Sequence, residues 1–141
     1  MILYLDTSAL VKKYFKEAGS SEVILHWKKA IAIATSSIAY AEAMASFYRK
    51  NREANIPRDV FHTLIESFQQ DWKSLICIQV NDDLNDMIDQ VLSHHPLRGF
   101  DSIHLASALM LHDAAPQELV FACFDKTLAQ AAVAEGLSPL P

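Results

Sequence analysis

Ile2-Leu3-Tyr4-Leu5-Asp6-Thr7-Ser8-Ala9-Leu10-Val11 decides how the rest of the chain is read. Its first four residues are apolar without alternation, a run of strand length that suits burial on both faces of a parallel sheet. Asp6 and the hydroxyls after it are the residue types that open a helix. The pattern recurs outward from there. Apolar runs at 32–35, 75–80 and 119–124 have the same character, and a weaker fifth at 137–140 is confined to a sheet edge by Pro139. Helical periodicity fills the gaps, clearest in Val60, Phe61, Leu64, Ile65 and Phe68 and in Leu84, Met87, Ile88, Val91 and Leu92. Further helices are expected over 8–15, 21–29, 37–51, 101–112 and 126–135, with Gly136 capping the last. Alternating strands and helices predict an α/β fold: a three-layer α/β/α sandwich around a central, mostly parallel sheet of four to five strands.

The 141 residues are 51% hydrophobic and 21% charged, which excludes disorder by composition and suits one domain over 1–141. Three glycines cannot build a Gly-rich phosphate cradle, so P-loop and dinucleotide-binding readings drop out. Seventeen acids against 12 Lys and Arg give a net charge of −5, the wrong sign for holding nucleic acid by bulk charge. A nucleic-acid role must therefore use local patches or a metal. The start of the chain has no basic region before its apolar run, and nowhere do about 18 apolar residues run together, so a cytoplasmic protein without a membrane span is expected. Cys77 and Cys123 fall in apolar runs and are expected as buried thiols, not disulfide partners.

Ligands of an open parallel sheet bind beyond the carboxyl ends of its strands, and those positions here are acidic. Asp6 ends the first strand and Asp125 the run 119–124; either residue is a helix cap or a functional acid. Asp101 opens an apolar helix after Arg98-Gly99-Phe100 and poses the same choice. Glu42 shares a helical stripe with Ile38, Ala41 and Ala45, so it either faces packed protein, where an unpaired carboxylate is costly, or lies on a stripe that is partly exposed. Four acids converging at one sheet edge would repel one another unless a cation intervened. Hard oxygen ligands select Mg²⁺ or Mn²⁺ over zinc, and such an ion commonly serves phosphodiester chemistry.

In this order and spacing the segments resemble the PIN-domain ribonucleases, specifically the VapC toxins of bacterial toxin–antitoxin pairs, over nearly the whole chain. Leu5-Asp6-Thr7-Ser8-Ala9-Leu10-Val11-Lys12 is similar to the family's first-strand motif, and Ser36-Ser37-Ile38-Ala39-Tyr40-Ala41-Glu42 to its helical acid. Leu97-Arg98-Gly99-Phe100-Asp101-Ser102-Ile103-His104-Leu105-Ala106 resembles the third-acid segment, and Phe124-Asp125-Lys126-Thr127-Leu128 the fourth. One departure is Cys123, where the family often has Thr or Ser.

The resemblance implies a metal-dependent endoribonuclease in which Asp6, Glu42, Asp101 and Asp125 bind or orient Mg²⁺ or Mn²⁺ and Thr7 or Ser8 assists. Attack on an RNA phosphodiester, with transfer RNA one candidate target, would leave a 5′-phosphate and a 3′-hydroxyl. It also implies a homodimer and a VapB-like antitoxin, with DNA met only through that antitoxin.

Arg98, three residues before Asp101, and Lys12 are candidate contacts for RNA phosphate or antitoxin carboxylate; Lys13, Lys16, Arg49, Lys50 and Arg52 are either phosphate contacts or a solvated face. His94, His95, His104 and His112 lack zinc-site spacing, so no zinc site is expected, and His104 reads as a packing or supporting residue. Phe61, Phe68 and Trp72 are core or an extension to a partner surface. No G-x-S-x-G supports a serine hydrolase. A haloacid-dehalogenase-like phosphatase lacks its second acid, because position 8 is Ser8. The alternative to the nuclease is a PIN-like module that binds RNA or protein without cutting.

Overall fold

In the computed structural model, which describes residues 1–141, five strands form one sheet: β1 (Ile2–Leu5), β2 (Ala32–Ser36), β3 (Ile76–Ile78), β4 (Leu119–Ala122) and β5 (Ser138–Pro139). Their order is β3-β2-β1-β4-β5 and every neighbouring pair is parallel, with Ile2 beside Ala32 on one side and Leu119 on the other. Seven α-helices connect them: α1 (Thr7–Val11), α2 (Ser20–Lys29), α3 (Ala39–Ala54), α4 (Arg58–Trp72), α5 (Asn85–His94), α6 (Gly99–Ala114) and α7 (Lys126–Ala134). The first two connections walk outward from β1 to β3, and the third carries the chain back across to the other side of β1. That reversal opens a crevice at the carboxyl ends of β1 and β4, the usual ligand position in such sheets.

The period-two geometry of a strand divides the core into two layers. Leu3, Leu5, Ile33, Val120 and Ala122 pack beneath α1–α4 through Leu10, Val23, Ala43, Phe47 and Phe68. Ile2, Tyr4, Ala34, Leu119 and Phe121 pack beneath α5–α7 through Val91, Leu105, Leu109, Leu128 and Ala132. Each fully buried Leu or Phe contributes roughly 1.5–3 kcal/mol, so the central strands are held from both faces. The sandwich is therefore the expected one, and β5 lies at the sheet edge as Pro139 requires.

Several local expectations are corrected. β3 is a three-residue edge strand with Ile76 38% exposed, so it is not buried on both faces. β4 ends at Ala122, and Cys123 and Phe124 separate it from Asp125. α1 stops at Val11, and residues 12–14 continue as turns bonded three residues back, because the chain must bend toward α2. α3 starts at Ala39, which places Glu42 in its first turn; its buried stripe is Ala39, Ala43 and Phe47, while Ala41 and Ala45 are exposed. Phe68 is wholly buried, its ring 5.1 Å from Phe47, so it offers nothing to a partner surface. Both cysteines are free and half-buried. Gly136, with φ +93, closes α7 as expected: its N–H reaches Val133 and that of Leu137 reaches Ala132, the double bond of a left-handed helix cap.

Candidate active site at the carboxyl ends of the strands

Asp6 stands at the crevice because its N–H extends the β1–β4 ladder to Ala122 O at 3.1 Å. Its Oδ1 accepts from the Ala9 N–H at 2.9 Å, capping α1, and from Ser8 Oγ at 2.7 Å. Ser8 Oγ in turn accepts the Phe124 N–H at 3.2 Å and ties the exit of β4 to that of β1. Asp125 caps α7 by accepting from Leu128 N–H at 2.8 Å. Cap and functional acid are thus compatible roles at both positions. Asp101 is not a cap, since Arg98 holds that place and Asp101 falls in the first turn of α6.

Glu42 meets α6 from the opposite layer. Thr7 Oγ1 donates to its Oε1 at 2.6 Å, and His104 Nε2 lies 3.0 Å from the same oxygen. On its other side His104 bonds the Tyr4 hydroxyl through Nδ1 at 3.0 Å. Burial raises the Tyr4 pKa well above its ordinary value, so the phenol keeps its proton. Burial pushes Glu42 upward, but the hydrogen bonds from His104 and Thr7, with the electrostatic influence of His104 beside it, outweigh it and leave the carboxyl below its usual range. The chain Tyr4–His104–Glu42–Thr7 was not legible as a unit; the only signal was the placement of His104 three residues after Asp101, about one helical turn.

Asp6, Glu42, Asp101 and Asp125 all line one cleft of about 500 Å³, together with Thr7, Ser8, Lys12, Arg49, Lys50, Arg98 and His104. Lys13, Lys16 and Arg52 do not line it, and Lys13 pairs instead with Asp71. Lys12 and Lys50 pair with Glu17 at 3.3 and 3.2 Å, and Lys12 covers the Phe124 ring at 4.5 Å. Gly19, with φ +94, permits that arrangement: a Cβ there would lie 2.4 Å from Phe124. Arg98 is 83% exposed and reaches Asp101 with Nε at 3.3 Å.

Asp6 is 4% exposed, and burial raises its pKa; Asp101 adds to the rise, while His104, Ser8 and the Ala9 N–H act against it. Its Oδ1 takes the hydrogen bonds from Ser8 and Ala9, and Oδ2 is not among the polar atoms shut off from solvent, so it is the oxygen left free for a ligand in the cleft. An all-oxygen donor set around a buried carboxylate suits a hard divalent cation such as Mg²⁺ or Mn²⁺. At the departure position, burial pushes the Cys123 thiol up to about 12, and Sγ lies 3.7 Å from the Asp125 carbonyl.

Set against known proteins, the chain is 31% identical over 144 residues to "Ribonuclease VapC45" of Mycobacterium tuberculosis (strain CDC 1551 / Oshkosh), covering 99% of this chain and 95% of the relative. This chain belongs to the VapC family of PIN-domain toxins. No protein-family profile matches it. Among solved structures, this VapC-family chain resembles FitAcB from Neisseria gonorrhoeae with a TM-score of 0.69 at 16% identity, over 100% of this chain and 97% of that one. It also resembles VapC20 of Mycobacterium tuberculosis, described as a sarcin-ricin loop cleaving toxin, with a TM-score of 0.62 at 16% identity over 96% and 95% of the two chains. Those structures share its three-layer fold. At the level of the family, membership supports a metal-dependent, nuclease-like activity.

A second group of potential ligands lies outside the cleft. His94, His95 and Glu135 each offer one ligand atom, all within 4.8 Å of one another, so the three could hold a metal ion. Sequence spacing pointed to no such site, because Glu135 joins the adjacent histidines only through the packing of distant helices. No helix is long and apolar enough to cross a membrane.

Proposed function

We propose that this chain, read as a single PIN domain over 1–141, is a metal-dependent endoribonuclease and the toxin of a toxin–antitoxin pair. The observation that carries the reading is that four acids from four separate segments line one cleft where the strand order reverses. Asp6, Glu42, Asp101 and Asp125 would hold Mg²⁺ or Mn²⁺, which when bound supplies an activated water and shields charge on phosphoryl oxygens.

The chain's own residues supply the rest. Ser8 and the α1 N-terminus orient Asp6, Thr7 and His104 orient Glu42, and the α7 N-terminus orients Asp125. Arg98 and Lys12, at the rim, would take the phosphates flanking the scissile bond, or the carboxylates of an antitoxin tail that silences the enzyme. In-line attack of water on the phosphorus breaks the bond to the 3′ oxygen, leaving a 5′-phosphate and a 3′-hydroxyl. The family names of its relatives support RNA as substrate, with transfer RNA one member of that class. The likeness to the FitAcB structure supports a VapB-like antitoxin as partner; a homodimer, with DNA met only through the antitoxin, is what the family resemblance implies.

The test is cleavage of total cellular RNA with mapped ends, in Mn²⁺ or Mg²⁺, in EDTA, and with Asp6→Asn purified identically. Metal-dependent cuts bearing 5′-phosphates, absent from both controls, are expected. RNA binding without new ends, by folded and metal-loaded protein, would transfer the reading to a non-cutting PIN-like module.

A further inference from the structure

His94 and His95 close α5, and Glu135 closes α7. Two helix C-termini, each the negative end of its dipole, therefore meet at one point, and the residue placed between them is a carboxylate. An acid at a helix C-terminus is ordinarily disfavoured by roughly 0.3–1 kcal/mol, so this arrangement calls for a cation. No Lys or Arg supplies one: the ion-pair partners of Glu135 are the two imidazoles, with its Oε2 2.7 Å from His95 Nε2 and 3.7 Å from His94 Nδ1.

The geometry is close to that of a borderline metal site. Tetrahedral zinc with bonds near 2.0–2.1 Å sets neighbouring ligand atoms about 3.3 Å apart; the two separations from Glu135 Oε2 bracket that value, and all three ligand atoms lie within 4.8 Å of one another. Glu135 and His95 are 15% and 13% exposed, so two of three ligands are already held in place, while His94 at 56% leaves the site open to solvent. The imidazole planes stand at 89° without stacking, and His95 Nε2 is hydrogen-bonded to the shared Glu135 Oε2 through a proton that a bound cation would replace. Two nitrogens with one oxygen suit Zn²⁺ or Ni²⁺ and discriminate against Mg²⁺, the reverse of the acid cleft.

We propose that His94, His95 and Glu135 form a binding site for a borderline divalent cation such as Zn²⁺, separate from the acid cleft, that clasps the end of α5 to the end of α7. The site does not depend on the nuclease reading. α7 separates it from Asp125, which caps the other end of this nine-residue helix, about 15 Å from Glu135 at 1.5 Å per residue. His95 begins the connection 95–98 that leads into α6 and Asp101, so an ion bound here fixes the segment from which Arg98 extends.

The experiment is Zn²⁺ titration by calorimetry, with amide hydrogen exchange over 95–98, on the full chain, His94→Ala, Glu135→Gln and the double variant Asp6→Asn/Asp101→Asn. Mg²⁺ serves as the contrast ion. The expected result is a Zn²⁺ equivalent and slowed exchange at 95–98 that survive in the cleft variant and in excess Mg²⁺. That equivalent weakens at least tenfold in His94→Ala, whose exposed ring can be removed without disturbing the core, and in Glu135→Gln. Zn²⁺ binding lost in the cleft variant, unchanged in both cluster variants, or absent from the full chain overturns the proposal.

Discussion

The acid cleft and the His94–His95–Glu135 cluster occupy opposite ends of α7, and they differ in how they come to favour a cation. In the cleft, acids from four segments are crowded by topology: Asp6 and Asp125 follow parallel neighbouring strands, and Glu42 and Asp101 lie in the first turns of helices from opposite layers. Helix N-termini favour anions at these positions, and the acids crowd oxygen ligands of the kind a hard ion takes, with Lys12, Arg49, Lys50 and Arg98 also lining the cleft. At the other end, helix C-termini oppose an anion, and nitrogen ligands stand ready. One fold thus builds two cation-seeking sites of opposite ligand chemistry from the two ends of its helices.

The largest expected effect lies in the cleft. Asp6→Asn and Asp101→Asn should each lower RNA cleavage by about 1000-fold or more, equivalent to about 4 kcal/mol of transition-state stabilisation, in a single-turnover assay at saturating Mn²⁺. Equal cleavage by both variants would show that the comparison misplaces the reactive site.

Next comes the support of Glu42. His104→Ala should cost about 10–100-fold in metal affinity or activity, the range for residues that orient ligands. Tyr4→Phe should cost less, because His104 loses only its hydrogen bond to the phenol and keeps its own contact with Glu42. An unchanged apparent Mn²⁺ affinity in His104→Ala would assign that histidine to packing alone.

Stability sharpens the contrast. The Asp6 pKa is raised in the folded state, so without a cation this residue contributes stability that is full below its unfolded pKa and is lost as pH rises through the folded value. Glu42 has the opposite sign: its lowered pKa contributes stability above the unfolded value, lost as pH falls through the folded one. Asp6→Asn, which keeps the α1 cap, should therefore raise Tm in EDTA at neutral pH, by about 2–4 °C per kcal/mol relieved, and abolish any rise that Mg²⁺ gives the parent chain. A lower Tm in EDTA would show that the buried carboxylate is not under electrostatic strain.

Gly136→Ala should cost about 1–2 kcal/mol for a left-handed residue, or a few degrees in Tm, and weaken Zn²⁺ binding next to it at Glu135 while leaving Mn²⁺-dependent cleavage intact. The smallest effect is His94→Ala, for which cleavage in Mn²⁺ should be unchanged. A loss there would join the two regions into one functional unit.

The four acids were legible in the sequence because each follows a strand or begins a helix, positions fixed by local pattern. Their convergence followed from parallel topology alone. Glu42 was legible for an incomplete reason: the stripe with Ala41 and Ala45 is exposed, and what half-buries Glu42 is Thr7 and His104, which come from other segments. The short β3, the early end of α1 and the burial of Phe68 depend on which neighbour covers each segment, and periodicity carries no such information.

By itself, then, the sequence determined the layer architecture, the central strands and the acids at their carboxyl ends, because apolar period and strand-to-helix junctions are properties of adjacent residues. Only the tertiary structure decided that Tyr4 and His104 hold Glu42, that Ser8 ties β4 to β1, and that Glu135 meets His94 and His95. Each of those contacts joins residues far apart in the chain, and the packing of helices on a sheet, not the spacing of letters, sets the distance between them.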